Sequence, residues 1–188
     1  TQSCRQPVGD HPHQGIDRTT GIERHDDADG LGRPGALRVA RAVTGRKKIL
    51  VFNACYHGTV DETFVRLDGG RAVHRPGLVG QAVDLTENTA VIEFNDIPAL
   101  EKALAAKDIA CVITEPVLTN SCMVLPTPGF HKALRKLTRA AGTLLLIDET
   151  HTISTGLGGY TKTYGLEPDI FVLGKPVAGG VPASVWGL

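Results

Sequence analysis

Residues 143–180 read TLLLIDETHTISTGLGGYTKTYGLEPDIFVLGKPVAGG, and this stretch decides the fold. It holds two short apolar runs, each ending in a group with chemistry. Leu144, Leu145, Leu146 and Ile147 run straight into Asp148 and Glu149. Ile170, Phe171, Val172 and Leu173 run into Gly174 and Lys175, with Gly179 and Gly180 close behind. Uninterrupted apolar runs of this length suit strands buried on both faces, as in a parallel sheet covered by helices. In such sheets ligands collect beyond the carboxyl ends of the strands. Asp148 and Lys175 are therefore expected to share one crevice, where a carboxylate and an amine point to a lysine Schiff base under electrostatic control.

Working outward, the same alternation continues upstream. Residues 36–45 read as a helix stopped by Gly45, and residues 48–52 as a strand leading into the loop Asn53 to Thr59. Residues 89–94 form the next strand, and Asp96 caps a helix reaching about residue 107. Residues 109–114 are a strand ending at Glu115 and Pro116. Residues 120–128 are a loop, and Pro128 opens a helix through Ala141 that Gly142 stops. A further strand begins near Val181. Residues 61–88 give only loop and hairpin signals. Strand and helix in alternation predict an α/β fold with a mainly parallel sheet.

Composition narrows the classes. The charge is balanced, with 20 basic and 20 acidic residues, and aromatics are 5%. Neither nucleic acid nor an anionic membrane surface is called for. No apolar run approaches the roughly 20 residues that span a bilayer. Cys4, Cys55, Cys111 and Cys122 are scattered without a C-x-x-C pair, which suits free thiols in a reducing cytoplasm. Cys111, inside an apolar run, reads as a small core residue.

Residues 1–35 differ from the rest: only Cys4, Val8, Ile16, Ile22, Ala28 and Leu31 are apolar, with no period. Such a segment cannot offset its ordering entropy, so it is expected to be disordered or loosely attached. His11 and His13 read as solvated residues, not a metal site. Gly30, Gly32 and Gly35 match a dinucleotide-binding spacing, but no strand precedes them and Pro34 interrupts them, which rules out a nicotinamide-binding turn. The expected division is an atypical segment 1–35 and a domain 36–188.

Five motifs agree on a family. ACYHGT (54–59), EPVLTNSCMVLPTPGF (115–130), LLLIDETHT (144–152), GGY (158–160) and YGLEPDIFVLGKPVAGGVPA (164–183) stand in a telling order and spacing. They resemble the class-III pyridoxal-phosphate aminotransferases, most closely the glutamate-1-semialdehyde aminomutase-like branch. The resemblance implies the large domain of the fold type I transferases, a three-layer α/β/α sandwich, here incomplete. It implies pyridoxal 5'-phosphate as cofactor, small-molecule amino donors and acceptors, and a homodimer.

It also implies roles. Lys175 would form the Schiff base and move a proton. Asp148 would hold the ring nitrogen protonated. Tyr56 would stack on the ring, with His57 in the same loop, and Thr150 would pack on the opposite ring face where the family usually has Val. His151 departs from the small or apolar residue usual there, which bears on substrate preference. Glu115 would lie beside the ring hydroxyl. Three family parts are not recognisable: the Ser-Gly-Thr-Glu-Ala phosphate loop before residue 36, the arm before it, and everything after the lysine segment. Residues 27–35, with Asp27 and Asp29, carry no phosphate-binding pattern. The change near residue 35 reads as a frame shift, a chimeric gene or a degenerate one. Two readings follow, an amino-group-transferring enzyme or an inactive truncated fragment with weak or no cofactor binding.

Overall fold

The computed structural model describes residues 32–179, 181 and 183–188. Most of segment 1–35, with His11, His13 and Gly30, lies outside the described residues, as does Gly180. Among the described residues the order is α1 (Gly32–Thr44), β1 (Lys48–Phe52), β2 (Val65–Asp68), β3 (Arg71–His74), β4 (Thr89–Ile92), α2 (Ile97–Leu104) and β5 (Ile109–Thr114). There follow α3 (Phe130–Ala141), β6 (Leu144–Asp148), α4 (Gly159–Thr163), β7 (Ile170–Leu173) and β8 (Val185–Gly187). The main sheet runs β4-β1-β5-β6-β7-β8, and β2 pairs with β3 as a separate antiparallel hairpin. Every pairing in the main sheet is parallel except β7 with β8. This is the expected α/β architecture.

The sequence explains why the central strands are central. All six residues of β5 are buried, as are Ile49 to Phe52 of β1, so both sheet faces are covered. Helix α1 packs on β5, β7 and β8, whereas α2 and α3 pack on each other and on β4 and β6. On α3 the buried residues Phe130, Leu134, Thr138 and Ala141 follow a helical stripe. Phe52, Phe94 and Phe130 meet edge to face, with centroids 4.6–5.7 Å apart. Each such pair adds about 1 kcal/mol beyond its buried area.

Helix boundaries differ from expectation for local reasons. Helix α1 begins at Gly32, four residues before residue 36. Pro34 sits in the first turn, where a missing N–H costs nothing, and the Gly32 N–H donates to Ser184 Oγ at 2.8 Å. Helix α2 stops at Leu104, and Lys107 just beyond is left-handed. Helix α3 starts at Phe130, because Gly129 before it takes a left-handed φ of 87°.

Arg46 closes the other end of α3. Its guanidinium donates to the carbonyls of Ala141 (2.9 Å), Gly142 (3.0 Å) and Ile109 (3.0 Å). These include terminal carbonyls that the helix itself leaves unpaired. Arg46→Met is expected to cost about 2 kcal/mol, read from the urea midpoint. An unchanged midpoint would remove this role.

Candidate active site

Strands β1, β5, β6 and β7 are parallel neighbours, so their carboxyl ends share one edge of the sheet. Tyr56 and His57 follow β1, Glu115 follows β5, Asp148 ends β6, and Gly174 and Lys175 follow β7. Four separate sequence segments are thereby gathered at one edge, the loop residues Thr150 and His151 following Asp148 directly.

Asp148 is the buried centre, only 2% exposed. Its Oδ2 accepts from Arg33 Nε at 2.6 Å and pairs with His57 Nδ1 at 2.8 Å. Its Oδ1 accepts from Arg33 Nη2 (3.1 Å), the Thr150 N–H (3.2 Å) and the Thr150 hydroxyl (2.7 Å). Burial alone would raise the Asp148 carboxyl, but the hydrogen bonds and charges of His57 and Arg33 outweigh it and hold the group well below the carboxylate range. Burial likewise would lower the His57 imidazole. Its bond to Asp148, helped by the Cys55 side chain and the charge of Asp148, raises it to about 10. Both partners are thus driven to their charged forms.

Thr150 links this cluster to the lysine. Its hydroxyl donates to Asp148 and accepts from the Gly174 N–H at 3.0 Å. Gly174 is closely surrounded: a Cβ there would meet Thr150 Oγ1 at 3.4 Å and Arg33 Nη2 at 3.5 Å. Lys175 Nζ lies 2.6 Å from His151 Nε2. His151 Nδ1 lies 2.5 Å from the Thr119 hydroxyl, which donates in turn to Glu115 Oε2. Glu115 is 3% exposed and also accepts from the Thr119 N–H and from Asn120 Nδ2, each at 3.3 Å. Tyr56, by contrast, is 41% exposed.

The sequence model described as aminotransferase class-III matches residues 33–187. The chain belongs to the class-III aminotransferase family. It is 42% identical over 156 residues to glutamate-1-semialdehyde 2,1-aminomutase from Neisseria meningitidis serogroup C (strain 053442), covering 81% of this chain and 36% of that protein. Among solved structures it is similar to a lysine-to-alanine variant of a glutamate-1-semialdehyde aminomutase from Pseudomonas aeruginosa PAO1 in complex with PMP. The TM-score there is 0.82 at 50% identity, over 85% of this chain and 36% of the other. An omega-transaminase from Sphaerobacter thermophilus gives a TM-score of 0.77 at 30% identity, over 85% and 39%. These relatives are enzymes, and the chain spans just over a third of their length. Among the described residues no helix is long and apolar enough to cross a membrane, and no cluster of three or more His, Cys, Asp or Glu could hold a metal.

Within this class-III chain, three site residues escaped sequence reasoning. Arg33 sits in a segment without a recognisable pattern, yet it is 5% exposed and bonded to Asp148. Thr119 gave no signal. Glu149 is fully buried and accepts from the Thr152 hydroxyl and from the N–H groups of Tyr160 and Thr161. The glycine pair before Tyr160 was its signal: at Gly159, with φ of 72°, a Cβ would lie 2.9 Å from Glu149 Oε1. His57, expected in the cofactor loop, is wholly buried and bonded to Asp148. Thr150 uses its hydroxyl to join Asp148 to Gly174, a contact that Val could not make.

Proposed function

We propose that this chain is part of a pyridoxal-phosphate-dependent enzyme, a transaminase or aminomutase. It would act on an amino acid or an amino-aldehyde or amino-ketone, with Lys175 as the Schiff-base lysine. The observation that supports this most is the pairing of a buried, ionised Asp148 with Lys175 through Thr150 and Gly174 in a chain of this family. When bound, pyridoxal phosphate supplies an aldehyde for amine exchange and a ring that takes up electrons.

The donor set fits that group. Asp148 offers an anionic acceptor for a protonated ring nitrogen, His57 and Thr150 fix its orientation, and Tyr56 presents an exposed aromatic face in the loop after β1. Glu115 anchors the Thr119–His151 side of the crevice. Arg33 occupies part of the Asp148 carboxylate edge and has to yield to a ring nitrogen there. That contact favours, as a second reading, an inactive fragment with weak cofactor binding. Assembly as a homodimer and a cytoplasmic setting belong to the same proposal; the free thiols Cys55, Cys111 and Cys122 suit a reducing compartment.

The test is a visible absorption titration with pyridoxal phosphate. The expected result is a new band in the wild type that is absent in Lys175→Ala. No band, or an equal band in both proteins, would favour the second reading.

A further inference from the structure

The hydrogen bonds around His151 have a direction that can be read atom by atom. The Thr119 hydroxyl has one proton, and it donates that proton to Glu115 Oε2. Toward His151 the same oxygen can therefore only accept, so His151 Nδ1 carries a proton. In the neutral ring the remaining nitrogen, Nε2, then holds a lone pair. That lone pair faces Lys175 Nζ at 2.6 Å. The chain of donors runs Lys175, His151, Thr119, Glu115, and it ends on a carboxylate 3% exposed. Four residues from three separate strand-end segments are needed to build it.

We propose that Glu115, Thr119 and His151 form a proton relay for Lys175, with His151 the catalytic residue that touches the amine. The inference rests on the reading of Lys175 as the amine that engages a carbonyl. An amine that bonds to a carbonyl carbon must shed protons from nitrogen. In the relay, one proton passes from Lys175 Nζ to His151 Nε2. The Nδ1 proton of His151 passes to Thr119 Oγ1, and the Thr119 hydroxyl proton passes to Glu115 Oε2. One proton leaves the amine, one arrives on the carboxylate, and no electrons leave the system. The reverse passage restores the resting state. An apolar residue at position 151 would end the chain of bonds at the lysine.

Among the described residues, the charged and titratable groups facing His151 are Lys175 from the segment after β7 and Glu115 from the segment after β5, the latter 3.5 Å from Nδ1. Asp148, His57 and Arg33 form a separate cluster, connected to the lysine segment through Thr150 and Gly174. The relay is thus distinct from the contacts that hold Asp148 ionised.

The experiment is competitive labelling of lysines by a small acylating reagent, read by peptide mass spectrometry, with exposed Lys102 as internal reference. It needs no cofactor. At pH 7.5 Lys175 of the wild type is expected to label faster than Lys102. His151→Phe should slow Lys175 labelling by about a hundredfold, at the lower end of general base effects. Thr119→Val, which leaves the Lys175–His151 contact in place and cuts the relay beyond it, should slow it several-fold. Both deficits should narrow as the pH rises, because hydroxide then competes with His151 for the amine proton. A structural role for His151 would give a deficit independent of pH. Equal Lys175 labelling in wild type and both variants, with all three showing the same urea midpoint, overturns the proposal. Labelling that depends on His151 without a cofactor band would leave the relay standing and remove only the cofactor reading. A band with unchanged labelling would do the reverse.

Discussion

Asp148→Asn is expected to destabilise this chain by about 3–5 kcal/mol. The carboxylate is the counter-charge for Arg33 and for a fully buried His57. Asparagine keeps the shape but leaves a buried guanidinium without its anion, and its amide cannot accept from all of the donors now aimed at Asp148. The same contacts set a pH dependence whose sign is fixed. His57 has a folded pKa raised to about 10 from 6.5. Its contribution is fully present below about pH 6.5 and is lost as pH rises through about 10. The Asp148 carboxyl is held low when folded, so its contribution is present above the usual carboxylate pKa and is lost only in acid. Wild-type stability should therefore fall steadily between pH 7 and pH 10, and Asp148→Asn should flatten that limb. Urea midpoints across that range decide it: a flat wild-type profile would sink the pairing.

Arg33→Met is expected to tighten pyridoxal phosphate binding about tenfold or more, equivalent to about 1.4 kcal/mol. Arg33 holds both oxygens of Asp148, and its guanidinium reaches the space beside Gly58 and Gly174. A cofactor ring nitrogen needs one of those acceptor positions. Of the groups that bond Asp148, Arg33 is the one carried on a long side chain that can swing away without moving a strand end. Removing it takes away a competitor while His57 still balances the carboxylate. The folded chain without cofactor should lose about 2 kcal/mol, and the thermal shift on adding cofactor should grow. Dissociation constants from fluorescence titration settle the direction. Weaker binding in the variant would mean that Arg33 helps to hold the cofactor, for example at its phosphate, and would reverse the account.

Much of the architecture was legible because burial on both faces leaves an unmistakable mark. The runs Leu144 to Ile147 and Ile109 to Ile113 have no polar interruption, and each is a strand of the parallel sheet. Asp148 and Lys175 could be placed on one edge because each follows such a run. What the sequence hid were contacts made by side chains far apart in the chain. Arg33 reaches Asp148 across 115 positions, from a segment whose composition suggested no order. The direction of the His151–Thr119–Glu115 bonds depends on which oxygen already gives its proton away, and no spacing rule contains that. Glu149 could be suspected from Gly158 and Gly159, since a carboxylate that accepts two backbone N–H groups needs a close backbone approach. The early start of α1 turned on Pro34, which reads as a breaker in isolation but fits the first turn of a helix.

The Schiff-base role of Lys175 is decided by borohydride trapping. The chain is incubated with pyridoxal phosphate, reduced, digested and mapped by mass spectrometry. One dominant pyridoxyl adduct is expected, on Lys175, and it should disappear in Lys175→Ala without moving to another lysine. Adducts spread evenly over exposed lysines such as Lys102 and Lys162, with Lys175 no different from them, would contradict it.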